Sequence, residues 1–182
     1  MKKAILGYKS FDESFKDISG NILKEGNCYH VDGEIKFGIN GNGYHFAKNL
    51  EDTLRYQVKG EYNLVNPKIT QVLGYGKIVE SFDDYYGYYD LYASSDIKIL
   101  KYLTRDEIID YALKLNSYRM TRFISLYKLT KDEIRFFKEK YLDVSLAILY
   151  FQKCQLDIYK IYYNSLFSEQ NKKKLKQLIQ SI

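Results

Sequence analysis

The chain has 182 residues, of which 46% are apolar and 28% charged, and its formal net charge is +5. That is enough chain to bury one sizeable core without disulfides or a metal staple, and the composition excludes a disordered tail or a fibre. No window approaches the roughly 18 apolar residues of a membrane span, and Ala4, Ile5 and Leu6 are too short a run for a secretory signal core, so a cytoplasmic protein without membrane contact is expected.

From the N-terminus to about residue 100 the pattern is one of strands and turns. Lys3 to Lys9 is short and apolar. Tyr29 to Val31 and Ile35 to Phe37 flank Asp32-Gly33, a pair that favours a hairpin because glycine takes positive φ readily. Gly38, Gly41 and Gly43 open a loop, and Tyr44 to Ala47 alternates as a strand would. Asn49 is placed to cap a short helix over Leu50 to Tyr56. Beyond Pro67, the β-rich run Ile69 to Glu80 is interrupted by Gly74 and Gly76, which predicts a bulged or bent strand. Tyr88 to Ala93 and Ile97 to Leu100 complete the candidate strands.

The last of the 11 glycines is Gly87 and the one proline is Pro67, so nothing breaks the backbone from residue 88 onward. Leu103-Thr104-Arg105-Asp106-Glu107-Ile108 recurs as Leu129-Thr130-Lys131-Asp132-Glu133-Ile134, and each copy is a capping box. The threonine hydroxyl accepts from the backbone N–H three residues on, and the glutamate there reaches back to the threonine N–H. Two helix starts follow, each leading into a Tyr- and Phe-rich amphipathic run. Asp143 to Asn164 reads as a wide-faced helix with a polar stripe of Lys153, Asp157, Lys160 and Asn164, and Ser168 can cap a last, lysine-rich helix. The expected fold is therefore α+β: residues 1–100 form a domain around a small mixed or antiparallel sheet, and residues 101–182 an all-helical domain of four or five helices.

Charge divides along the same line. Residues 1–78 carry 11 basic and 9 acidic groups, 79–96 carry 0 and 5, and 97–182 carry 17 and 9. The stretch from Glu80 to Asp96 alternates Tyr with Asp and has no Lys. Tyrosine suits recognition because it is amphipathic and loses little rotamer freedom on contact. Asp83, Asp84, Tyr85, Tyr86, Tyr88, Tyr89 and Asp90 are the candidate partner surface for a basic target, with Lys172, Lys173 and Lys174 as a second, basic one. The basic helical half could alternatively stack and pair with RNA.

Groups for catalysis are scarce. The two histidines are His30 and His45, and the two cysteines, Cys28 and Cys154, stand too far apart to suggest a disulfide framework. Cys28-x-His30 with Asp32 and His45 lacks the paired spacing of a zinc site, and no third group supports a thiol nucleophile, so neither a metal nor a cofactor is expected. Gly38-x-x-Gly41-x-Gly43 lacks the Lys-Ser/Thr of a phosphate loop and does not open a helix.

The motifs Gly7-Tyr8-Lys9-x-Phe11, Gly26-x-x-Tyr29 and Gly41-x-Gly43-Tyr44-His45-Phe46-Ala47-Lys48-Asn49-Leu50-Glu51-Asp52-x-Leu54-Arg55-Tyr56 resemble an uncharacterised domain family of phage, mobile elements and Gram-positive or related bacteria. The resemblance spans residues 5–100 and runs through Val72 to Val79. That family has no established activity to carry over; its context, the polarised charge and the scarcity of catalytic groups together lead to the expectation of a non-catalytic binding or inhibitor protein in a bacterial host cell, acting on a host protein or ribonucleoprotein such as a defence nuclease. Gly43 to Tyr56 is also similar to the strand and helix of ADP-ribosyltransferase-like folds, with Ala47 where Ser or Thr is usual and Tyr8-Lys9 where active members carry His or Arg. That second resemblance implies Tyr8, His45 and Glu80 as the reacting set, should the chain be an enzyme.

Overall fold

The computed structural model describes residues 4–17, 19–38, 41–57, 64–81 and 90–140. The expected helix over Asp143 to Asn164 and the lysine-rich helix after Ser168 lie outside the described residues.

Five strands are present among them: β1 (Ile5–Phe11), β2 (Cys28–His30), β3 (Tyr44–Ala47), β4 (Lys68–Ser81) and β5 (Leu91–Tyr102). All pair antiparallel. β5 is the spine. Along one edge it takes β4, from Thr70 opposite Tyr102 to Ser81 opposite Leu91, and along the other it takes β3 and then β2. The far edge of β4 pairs with β1, and β1 meets β3 at Tyr8 and Ala47, so the order β5-β3-β1-β4 closes on itself. Closure removes open edges, the liability of any sheet, and leaves β2 as a short edge strand.

The inner face holds Phe11, Phe46, Val72, Tyr92, Ile97 and Ile99, joined by Leu23 from a loop. Burying each of the large side chains contributes about 1.5–3 kcal/mol. Phe46 is fully buried and stacks on Tyr92 with ring centroids 5.6 Å apart. It fits because its neighbours Gly7 and Gly74 have no side chains: a Cβ on Gly74 would clash with the edge of the Phe46 ring. The interruption expected in β4 is a true bulge between Tyr75 and Ile78, where Gly76 adopts φ +80°. A Cβ there would strike Ser95 and Asp96.

Two expectations fail for tertiary reasons. Asp32-Gly33 makes no hairpin: Gly33 does take positive φ, but residues 35–37 form no strand and β2 pairs with β5 instead. Tyr88 to Ala93 and Ile97 to Leu100 are not two strands separated by polar residues. Leu91–Tyr102 is continuous, and Ser94 and Ser95 are buried within it, satisfied by bonds to the Asp96 backbone (2.8 Å) and carboxylate (2.6 Å).

The short helix over Leu50 to Tyr56 is an α-turn, α1 (Leu50–Thr53), followed by a 3-10 turn (Leu54–Gln57). Asn49 stands at its start but makes no side-chain cap bond. Its amide donates instead to Asp52 (3.0 Å) and Asp90 (3.1 Å), which ties α1 to the start of β5. Ser10 Oγ donates to the Thr53 carbonyl (2.8 Å), fastening α1 to β1.

Before β2, Asp12 and Asp17 head two turns with the same bonds. Each Oδ1 accepts from the N–H groups two and four residues on, and each aspartate N–H donates to the carbonyl four residues on. Such side-chain turns mimic backbone ones. The fourth position is left-handed in both, as Phe15 (φ 62°) and Gly20 (φ 82°).

Both capping boxes are present. Thr104 N–H donates to Glu107 (2.9 Å) and Glu107 N–H to the Thr104 hydroxyl (3.3 Å), starting α2 (Arg105–Ala112). Thr130 and Glu133 do the same at 2.6 and 3.3 Å, starting α4 (Lys131–Lys140). The run between them is two helices, because Asn116 accepts from Arg119 N–H (3.0 Å) and begins α3 (Ser117–Leu126).

The chain divides into two compact units, Met1–Gln57 with Asn66–Ile108, and Val58–Val65 with Ile109–Ile182. The division falls inside α2. In the second unit Val65 bridges Tyr127 in parallel, donating to the Leu126 carbonyl (2.7 Å) and accepting from Lys128 N–H (2.8 Å). Phe123 stacks on Tyr127 at 4.8 Å. No helix among the described residues is long and apolar enough to cross a membrane.

Candidate functional site

Opposed residues of paired strands share a face, and successive residues alternate. Tyr8 is opposite Ala47, two residues from His45, so Tyr8 and His45 both lie on the outer face. His45 is opposite Ala93, which is opposite Val79; Glu80 is opposite Tyr92, which is opposite Phe46. Glu80 is therefore on the other face of the sheet from His45. Its partner is the Tyr92 hydroxyl (3.3 Å), which burial and then the Glu80 charge push up to about 12. Two of the three residues of the expected reacting set share a face and the third does not.

The acidic group near Tyr8 is Glu51, on α1. Burial foremost, and then the Glu51 charge, raise the Tyr8 hydroxyl. Glu51 and Asp52 are both buried, which is uncommon for carboxylates. Nothing in the sequence singled out Glu51, because its placement depends on α1 folding back across β1.

His45 is buried, and its Nε2 lies 3.1 Å from Gly38 N, whose N–H donates to it. Phe37 meets the ring edge-on at 4.8 Å. Burial first, and the Lys9 charge second, hold the imidazole below its ordinary range, and a backbone hydrogen bond with Gly43 works against them. A ring whose Nε2 lone pair is occupied by an amide has no free base to offer a substrate.

Lys9 is also buried. Its Nζ donates to the His45 carbonyl (3.0 Å) and pairs with Asp17 (3.2 Å). Burial lowers it, opposed by Asp17. This is a load held inside the fold, since an interior ion pair survives only with its remaining bonds satisfied.

The second histidine stands elsewhere. His30 is exposed on β2, with Nδ1 2.7 Å from Asp96 and Nε2 3.1 Å from Asp32. The two carboxylates raise it, Asp96 first. Cys28 is in no disulfide and exposed, and its nearness raises the Tyr75 hydroxyl. His30 and His45 thus engage different partners, and among the described residues no group of three or more His, Cys, Asp or Glu side chains is arranged to hold a metal ion.

Of the candidate partner surface, Asp90 is described: it is exposed, and it accepts from Asn49 through its carboxylate and from Lys48 N–H through its carbonyl (2.8 Å). Asp83, Asp84, Tyr85, Tyr86, Tyr88, Tyr89, Lys172, Lys173 and Lys174 lie outside the described residues. Ser81, which precedes residues 82–90, pairs with Leu91, which follows them. No protein family, curated protein or solved structure matches the chain.

Proposed function

We propose that this chain is a non-catalytic binding protein of phage or mobile-element type, which acts in the cytoplasm of a bacterial host by contact with a host protein or ribonucleoprotein. A defence nuclease is the kind of target such a protein blocks. The observation that carries the reading is the pairing of Ser81 with Leu91 at the end of the two longest strands. A closed sheet gives that pair a rigid base, and recognition residues are commonly carried on loops set on such scaffolds. The stretch between them holds Asp83, Asp84, Asp90, Tyr85, Tyr86, Tyr88 and Tyr89 without a single Lys or Arg, a composition that suits a basic groove. Residues 101–182 continue from α2, α3 and α4 as a helical domain, and Lys172, Lys173 and Lys174 supply a second contact. The occupied lone pair of His45 and the position of Glu80 on the opposite face favour contact over catalysis.

The test is capture from bacterial lysate with the full chain and with an Asp83→Asn, Asp84→Asn, Tyr85→Ser, Tyr86→Ser variant. A partner retained by the first and lost at least about tenfold by the second, which is about 1.4 kcal/mol, is the expected result. Equal capture by both chains overturns the assignment of the surface. Transfer of label from NAD to a lysate protein, abolished by Glu80→Gln, would replace the reading with an ADP-ribosyltransferase. Salt-sensitive RNA retention would replace it with an RNA binder.

A further inference from the structure

Residues 31–38 link β2 towards β3, and the chain's two histidines stand at either end of them. The segment lies against the outer face: Ile35 is buried, and its Cγ2 and the Ala93 Cβ occupy the space a Gly43 side chain would need. At the front end, both nitrogens of His30 face carboxylates. Carboxylates only accept, so both contacts are hydrogen bonds when the ring is an imidazolium. At the rear end, Nε2 of His45 receives the Gly38 N–H, so that nitrogen must carry a lone pair and the ring is neutral. All three contacts are hydrogen bonds at once when His30 is protonated and His45 is neutral.

We propose that residues 31–38 are a pH-gated strap, held down by protonated His30 at one end and neutral His45 at the other, and loosened on either side of the window between their titrations. On the alkaline side His30 keeps one N–H. The shorter bond to Asp96 persists, because that carboxylate is further fixed by Ser95 Oγ (2.6 Å) and is the less exposed of the two, and Asp32 is released. On the acid side protonated His45 turns an N–H towards the Gly38 N–H, and two donors cannot pair.

The strap is also held by Asn42, whose Oδ1 accepts from Lys36 N–H (3.2 Å) and whose amide donates to the Asp32 carbonyl (3.4 Å), and Lys36 pairs with Glu34 (3.2 Å). Around His30, Lys77 on β4 donates from Nζ to the Gly33 carbonyl (3.1 Å), Tyr44 on β3 donates to the His30 carbonyl (3.3 Å), and Cys28 lies near the Tyr75 hydroxyl. Around His45 are Lys9 on β1, Asp17 behind it and the Tyr56 ring at 6.4 Å. Tyr8 shares the outer face with His45, and Lys9 is lowered by burial, opposed by Asp17. Of the groups around the strap, the histidines are those whose ordinary value lies near neutrality.

The experiment is an NMR titration of the full chain, following both imidazole rings and the exchange of the Gly38 amide. His30 is expected to titrate above, and His45 below, the ordinary value of about 6.5. Gly38 protection, corrected for intrinsic exchange, should fall on acidification by about tenfold for each unit that His45 is displaced. Asp96→Asn should bring His30 down and leave His45 unmoved. His45→Gln, which keeps an acceptor for Gly38, should erase the acid response. Titration of His45 at or above His30, or Gly38 protection that is flat with pH, overturns the proposal, and both are read on the unmodified chain even where a variant fails to fold.

Discussion

At Thr104 and Thr130 the bonds that start each helix run between residues three or four apart. Around Phe46 the neighbours are Gly7, Gly74 and Tyr92, drawn from β1, β4 and β5. A capping box is complete wherever its four residues occur, so two copies 26 residues apart produce the same bonds in different surroundings. The site of Phe46 exists only once three other strands have arrived, and each of them is defined by its pairing with the rest. The first region is decided by short-range hydrogen bonds and the second by closure of the sheet.

The largest effect should come from the closed sheet. Phe46→Ala is expected to cost about 3–5 kcal/mol, measured by denaturant unfolding, because the ring fills a space walled by glycines that cannot collapse onto it. A cost below about 1 kcal/mol would mean that Phe46 does not organise the sheet. A comparable loss is expected for Lys9→Met, about 3–5 kcal/mol, since it leaves Asp17 buried without its partner. Asp17→Asn preserves the turn at residues 17–21, so the Lys9→Met, Asp17→Asn pair should recover most of that loss. Failure to recover would show that Lys9 acts mainly through the His45 carbonyl.

The helix starts should respond less and alike. Thr104→Ala and Thr130→Ala are each expected to cost about 1 kcal/mol, with matching loss of helical signal by circular dichroism. If one costs several times the other, the local account of these starts is broken. The smallest effect concerns pH. His45, lowered in the folded chain, contributes stability that is present above about 6.5 and is lost as pH falls through its folded value. His30, raised in the folded chain, contributes stability that is present below about 6.5 and is lost as pH rises through its folded value. Stability should therefore pass through a shallow maximum near the ordinary histidine value. A monotonic midpoint between pH 5 and 8 in thermal unfolding would remove one of the two contributions.

Several features of the sheet were legible from residues alone. The strand at Tyr44 to Ala47, the short helix after Asn49 and the bulge near Gly76 all occur, because alternation and backbone permissiveness are properties of the residues themselves. Ser94, Ser95 and Asp96 misled as a break, since polar residues are ordinary turn formers until a partner bulge and an adjacent carboxylate satisfy them inside a strand. Asp12 and Asp17 did carry a readable signal, Asp-x-Ser repeated five residues apart, which marks the tandem turns. The candidate site was less legible. Tyr8 and His45 share a face by register, but Glu80 and Glu51 exchange places as the nearby acid only when β4 and α1 are in position.

What the sequence by itself determined is the helix starts at Thr104 and Thr130, the alternation of β3 and the division of charge along the chain, all of which rest on residues close to one another. What only the tertiary structure decided is which strands pair, which acid lies beside Tyr8 and which partners each histidine meets. These follow from long-range closure: a one-residue shift in register turns every side chain to the opposite face, and a histidine's proton is placed by whichever donor or acceptor the fold brings to each nitrogen.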